Sequence, residues 1–341
     1  RLGALFTIIM IANIIIFSWF IGNDIFYRSQ PTSYQSTILE EKFYEIVLDE
    51  NTFPFSIALQ DNDGVAVNYT TYLEMQIVYT NVYPDQDGNP VIERTSSNLI
   101  PCSKSNYPTL SDKEFTSSGL ANTLCPQNQT FLLRGYWGEG YINYLGIDVK
   151  ICDYINNPDC KTKEEISAFI TDNSINFNVF YQQVSIGVKN YTNPIKKNLY
   201  DDYSFFDVDH VNWCSHNIQR DVVFTDDNFL LGGSHADYFF NMVTNKCEKL
   251  LYSSSDRKLV SYQIYSSNKY TLYNRRYIKI PDILAAVGGL MRFFHLFFLL
   301  LNKEFSKISR YLKLIKKIFF IDDKKYETIE KSNLMMNSTS K

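Results

Sequence analysis

Ile283-Leu-Ala-Ala-Val-Gly-Gly-Leu-Met-Arg-Phe-Phe-His-Leu-Phe-Phe-Leu-Leu-Leu301 is the stretch on which the fold turns. Its 19 residues are at the short end of what crosses a hydrocarbon core of about 30 Å, and a permanent charge stands near the middle. On a helix, Ala285, Gly288 or Gly289, Arg292, His295 and Leu299 recur every three or four positions and share one face. Small residues on that face let another helix approach closely. A central arginine costs about 3 kcal/mol to insert, so it turns toward protein or water rather than lipid. Three arrangements meet that demand: Arg292 snorkels to the interface, makes a polar contact within an oligomer, or lines a pore.

A second apolar run, Leu2 to Gly22, holds 21 residues and no charge, which again suffices for one crossing. Trp19 lies near its outer end, where amphipathic rings favour the interface. A cleaved signal peptide has a shorter apolar core and a small-residue exit, and Ser18-Trp19-Phe20 is a poor exit. A retained signal anchor is expected instead. Asn13, in mid-span, is expected to meet a neighbouring helix. Because the chain opens at Arg1, a cytosolic leader is expected ahead of it.

After Asn302, the stretch Lys303 to Phe320 places Phe305, Ile308, Leu312, Ile315 and Phe319 on one helical face. Lys307, Arg310, Lys313, Lys316 and Lys317 supply the polar side. This pattern reads as a basic amphipathic helix lying on an anionic cytosolic leaflet. Six Lys/Arg follow the span closely, against Arg275, Arg276 and Lys279 ahead of it, so both termini are expected in the cytosol. Residues 321–341 then form a flexible cytosolic tail, whose Asn337-Ser-Thr never meets the glycosylation machinery.

The whole chain has 341 residues and a formal charge of −4. Once the tail's +5 and the charges of Arg1 and Arg292 are set aside, the region between the apolar runs carries −11. An acidic middle offers no electrostatic footprint for nucleic acid. All six cysteines, Cys102, Cys125, Cys152, Cys160, Cys214 and Cys247, lie in that region. An even number confined to one segment fits an oxidising compartment. Three bridges allow 15 connectivities. Sequential neighbours are expected to pair, with Cys152–Cys160 closing a short loop around Asn157-Pro158. No CxxC pair supports a zinc site. Asn68-Tyr-Thr, Asn128-Gln-Thr and Asn190-Tyr-Thr add three sequons. Cysteines and sequons together place residues 23–280 in the secretory lumen or outside the cell.

That region reads as one β-rich α+β domain. Phe43–Leu48, Phe55–Leu59, Tyr72–Tyr79, Tyr141–Cys152, Phe177–Val188, Val222–Phe224, Val260–Tyr265 and Tyr270–Tyr277 carry strand signals. Asp61-Asn-Asp-Gly64 and Asp85-Gln-Asp-Gly88 resemble fragments of calcium loops but lack the further acidic ligands, so tight turns are expected. Thr162 with Glu165 forms a capping-box pattern ahead of Ile166, Phe169 and Ile170, which predicts one short helix packed on a sheet. Gly232-Gly-Ser-His-Ala-Asp237 brings Ser, His and Asp together. Triads, however, are assembled from separated loops, and no nucleophile elbow surrounds this serine, so a polar loop is expected. Asp207, Asp209 and His210 lack a further metal ligand and read as a solvated loop. With no phosphate loop either, an enzyme is not expected, and no cofactor is implied.

Tyr273-Asn-Arg-Arg-Tyr-Ile-Lys-Ile280 running into Asp282-Ile-Leu-Ala-Ala-Val-Gly-Gly289 resembles the start of the second span in a large family of ciliate two-pass transmembrane proteins. Cys160-Lys-Thr-Lys-Glu-Glu-Ile166, Asn190-Tyr-Thr-Asn-Pro-Ile195 and Phe53-Pro-Phe-Ser-Ile-Ala-Leu-Gln60 are similar to that family's other motifs. This resemblance implies topology only. The layout is also similar to acid-sensing and epithelial sodium channels, through Val287-Gly-Gly289, and to cargo receptors cycling between endoplasmic reticulum and Golgi. Six cysteines are few for those channels, and Arg292 would repel cations. A tail ending Asn337-Ser-Thr-Ser-Lys341 carries no di-lysine or terminal aromatic pair, which counts against a cargo receptor.

The reading is therefore a membrane protein: two transmembrane helices flank a large, disulfide-bonded ectodomain, with the bilayer as one partner and a homo- or hetero-oligomer expected. A non-enzymatic glycoprotein that builds or anchors a plasma- or ciliary-membrane assembly comes first. The alternatives are a subunit of an ion channel with acid-sensing-channel-like or P2X-like topology and a secretory-pathway cargo receptor.

Overall fold

The computed structural model describes residues 2–28, 31–41, 44–128, 130–136, 140–187, 189–226, 228–230, 233–252 and 257–319, with the side chains of 2–6, 136, 244, 245 and 319 left aside. Phe43, Val188, Gly232, Phe320, the expected tail 321–341 and its Asn337 lie outside the described residues. Two compact units emerge. One comprises Arg1–Arg28, Asn228–Leu231 and Ile278–Lys341, the other Ser29–Asp227 and Gly232–Tyr277.

In the first unit, α1 (Leu2–Tyr27) and the 40-residue α4 (Ile280–Phe319) contact each other. Both are long and apolar enough to cross a membrane, and almost none of that apolar surface is buried. Both helices run beyond the expected spans: the first continues past Gly22 to Tyr27, and the second does not stop at Leu301. No glycine or proline interrupts Leu290 to Phe319, so nothing ends the helix at Asn302 and the basic segment simply prolongs it. At about 1.5 Å per residue α4 is about 60 Å long, twice a hydrocarbon core.

The second unit is a two-sheet sandwich. Its strands are β1 (Thr32–Leu39), β2 (Ile46–Leu48), β3 (Phe55–Gln60), β4 (Leu73–Pro84), β5 (Pro90–Ser97), β6 (Leu99–Pro101), β7 (Leu124–Pro126) and β8 (Phe131–Tyr136). They continue with β9 (Tyr141–Ile151), β10 (Asn176–Ile186), β11 (Ile195–Phe205), β12 (His210–Asp226), β13 (Ser234–Leu251), β14 (Lys258–Ser266) and β15 (Lys269–Arg276). The larger sheet runs β1-β15-β12-β14-β9-β4-β5, with β13 beside β12 and β2 and β8 joined through β9. The smaller runs β11-β10-β3-β7-β6. Between them lies one core that includes Ile57, Leu59, Ile77, Leu145, Ile147, Val149, Phe177, Val179, Val260, Tyr262 and Ile264. The alternation read from Tyr141 onward sends Leu145, Ile147, Val149 and Ile151 into that core.

Two short helices complete the unit: α2 (Asp112–Ser117) and α3 (Lys163–Asp172). The expected capping box forms at α3, where Thr162 accepts from the Glu165 N–H and Glu165 accepts from the Thr162 N–H at 3.0 Å. Ile166 and Ile170 face the core. Both aspartate-rich segments are turns. Gly64 and Gly88 take φ of 75° and 84°, and the Asp61 and Asp85 carboxylates accept from N–H groups of their own loops. All three bridges join sequential neighbours: Cys102–Cys125, Cys152–Cys160 and Cys214–Cys247.

Seven strands, β1, β5, β6, β7, β8, β11 and β13, had no sequence counterpart. Of these, β1, β5, β6 and β11 stand at sheet ends and β13 lies off the main path, so their polar residues need no buried face on both sides. The Ser234-His-Ala-Asp237 segment, expected as a loop, starts β13. It is drawn into the ladder because Asp226 pairs with Ser234 and Val223 with Asp237.

Candidate functional site

Within the helix unit, the residues of α1 less exposed than their neighbours include Met10, Ile14, Ser18, Ile21, Gly22 and Ile25. On α4 they include Ile283, Val287, Leu290, Phe294, Phe298 and Leu301. Both stripes repeat every three or four residues, as two helices packed along one seam require. The face singled out in the sequence is a different one. Ala285, Gly288, Gly289, Arg292 and His295 are all exposed. A Cβ built at either glycine would meet nothing within 4 Å. Asn13, expected to meet another helix, donates to the Ile9 carbonyl at 2.8 Å and so satisfies that donor inside α1.

Where α1 ends, the Arg28 guanidinium lies 4.4 Å from the Phe229 ring centroid, and the Ile280 N–H donates to the Phe229 carbonyl at 2.9 Å. Asp282 accepts from the Lys279 N–H at 3.1 Å, placing an anion at the N-terminus of α4. Beyond Leu301, Lys307, Arg310, Lys313, Lys316 and Lys317 are exposed on the continuous helix, with Lys307 paired to Glu304 at 2.9 Å.

In the β unit, Asn68, Asn128 and Asn190 are all exposed. Asn68 Oδ1 accepts from Thr70 Oγ1 at 3.2 Å and Asn128 Oδ1 from the Thr130 N–H at 3.2 Å, so each sequon is folded on itself. His210 Nδ1 lies 2.9 Å from Asp207, whose other oxygen accepts from the Asp209 N–H. That is a turn, and its carboxylate sits below the usual range mainly through the backbone N–H. His235 and Asp237 lie 3.7 Å apart on one exposed strand face. Two groups of metal-type ligands come together, Cys214, His216 and Cys247, and Glu74, Cys152 and Cys160. Each depends on sulfurs already joined as a disulfide, which offer no thiolate.

Sequence reasoning missed one buried polar cluster. His216 of β12 faces the core, wholly buried, with its ring stacked on Tyr262 of β14 at 4.9 Å. Its Nε2 is 3.8 Å from the Asp202 carboxylate of β11, in the other sheet. Burial lowers the His216 pKa to about 4 and raises those of Asp202 and Tyr262. Pairing of β12 with β14 and the packing of the other sheet against them assemble these residues, so no local motif could have signalled them.

Residues 56–267 match the family model described as the uncharacterised 80 kDa protein N-terminal domain. A cryo-EM structure of a proton-activated chloride channel aligns over 91% of this chain and 99% of that chain, with 10% identity and a TM-score of 0.31. No curated protein matches the chain.

Proposed function

For a chain that belongs to the family of the uncharacterised 80 kDa protein N-terminal domain, we propose the role of a non-enzymatic, two-pass membrane glycoprotein that anchors a surface assembly as an oligomer. The observation that carries this reading is the open stripe of α4. Gly288, Gly289, Arg292 and His295 stay exposed while α1 packs elsewhere. Gly-paired surfaces suit close helix packing, and a buried-depth arginine needs a polar partner. A second copy supplies both.

Three disulfides and three exposed sequon asparagines support an ectodomain facing the lumen or exterior, glycosylated at Asn68, Asn128 and Asn190. The excess of Lys and Arg after the second span supports cytosolic termini, with Lys307, Arg310, Lys313, Lys316 and Lys317 near the anionic leaflet. Plasma or ciliary membrane is the location proposed, and the ciliate two-pass proteins that Tyr273–Gly289 resembles are the proposed kin.

The test is the mass of the full chain in nanodiscs, measured by native mass spectrometry. Several copies per particle are expected, falling to one with Gly289→Leu or Arg292→Leu. Single copies in the unaltered protein would overturn the proposal. A second reading, a channel subunit, is favoured by the exposed charge of Arg292 within an apolar helix. Bilayer currents that Arg292→Leu alters would select it over the anchoring role.

A further inference from the structure

The outward face of the larger sheet carries a trough of about 410 Å³. Its floor is made by successive rows of β4, β9 and β14. Gln76 pairs with Asp148 and Asp148 with Ser261, while Val78 pairs with Gly146 and Gly146 with Gln263. Every second residue of a strand points to the same face, so a glycine in mid-row leaves a recess that a side chain would fill. Thr80 and Tyr144 close one end, and Lys150 and Lys258 the other.

Charge sets this face apart. Arg94, Lys150, Arg257 and Lys258 line the trough with a single carboxylate, Asp148, in a region whose overall charge is −11. That carboxylate is only 7% exposed and already engaged, by Lys258 at 2.8 Å and by the Ser261 hydroxyl at 2.7 Å. Arg257 is held by Asp153 at 3.4 Å and by the Ile151 carbonyl at 3.2 Å. Glu74, opposite Lys150, accepts instead from the Asp153 N–H. Arg94 and Lys150 therefore keep their positive charge facing the recess, with the amides of Gln76 and Gln263 and the hydroxyl of Thr80 between them. A merely solvated sheet face needs neither the recess nor an excess of cations around a neutralised floor.

We infer that this trough is a binding site for a small ligand bearing an oxyanion: a carboxylate, phosphate or sulfate group. Arg94 at one end of the trough or Lys150 at the other meets its charge, the guanidinium suiting two oxygens at once. The amides and hydroxyls take its remaining polar atoms, and the volume suits one small molecule rather than a polymer.

Calorimetric titration of the full chain in zwitterionic nanodiscs at low salt tests this, with inorganic phosphate, sulfate and glucuronate as probes. Saturable one-to-one binding of at least one probe is expected. The tightest probe distinguishes a bare inorganic anion from a sugar acid. Arg94→Gln with Lys150→Gln should weaken binding tenfold or more, while Lys113→Gln on α2 changes nothing. Gly146→Val fills the recess and should abolish binding without unfolding the sheet, because the nearest atom to an added Cβ is the Val78 carbonyl oxygen at 3.5 Å, an ordinary contact. No saturable binding of any probe, or binding indifferent to both the double variant and Gly146→Val, would overturn the inference.

Discussion

His216 shows what a single buried group does to the pH response of this ectodomain. Its pKa is held near 4 by burial, whereas an unfolded histidine titrates near 6.5. Between those values the unfolded chain binds a proton that the folded chain refuses. Stability is then complete above about pH 6.5 and falls as the pH drops through the window, by up to about 3 kcal/mol. Asp202, raised by its own burial, gains its proton more readily in the folded state and offsets part of that loss. The tyrosines packed nearby, Tyr181 and Tyr262, are pushed upward and stay neutral throughout. Urea titrations of the full chain at pH 7 and pH 5, followed by tryptophan emission, should show a lower midpoint at pH 5. His216→Phe keeps a ring against Tyr262 and should remove most of that difference. An equal pH response in the variant would rule out His216 as its source.

Among the elements, α3 was the most legible, because a capping box is a local device whose partners lie within one turn. Thr162→Ala removes the acceptor for the Glu165 N–H and should cost about 1 kcal/mol. A shift in the urea midpoint with an unchanged slope would measure it; no shift would mean that the Cys152–Cys160 bridge, ending two residues earlier, already holds the helix start. Central strands were also legible, since β3, β4, β9, β10 and β14 bury apolar side chains that alternate or cluster in the sequence. Edge strands were not. In β11, Ile195-Lys-Lys-Asn-Leu-Tyr-Asp-Asp-Tyr-Ser-Phe205 pairs along its whole length with β10, yet most of it is exposed and polar. Only its neighbour's register makes it a strand. The same applies to the trough, whose lining is contributed by four strands and one loop residue, Arg257, that no motif connects. Turn chemistry and cysteine order could be read locally, whereas anything assembled by strand pairing could not.

For the whole molecule, the consequence of an unbroken α4 extends beyond the bilayer. The stripe that packs on α1, Ile283, Val287, Leu290, Phe294, Phe298 and Leu301, continues in step as Phe305, Ile308, Leu312, Ile315 and Phe319. The spacing of three and four is that of a coiled-coil seam. Phe305, Ile308, Leu312 and Ile315 are 48–57% exposed. A helix lying on the leaflet would bury that stripe in lipid, but it would need to turn away from the span near Asn302, where α4 is unbroken and holds no proline or glycine. A helix that continues the span carries the stripe out of the hydrocarbon region, where an apolar seam over four turns needs another helix to cover it. The nearest source is α4 of a second copy, on the side of the helix away from Gly288 and Gly289. Leu312→Cys in native membranes should therefore cross-link between copies under mild oxidation, since the six natural cysteines are all engaged in disulfides. Lys313→Cys, one position round on the basic side, should cross-link far less. Equal and negligible cross-linking at both positions, with both quenched by lipid-borne probes, would instead place this segment flat on the membrane surface. The C-terminal half of α4 would then contribute to lipid binding rather than to assembly.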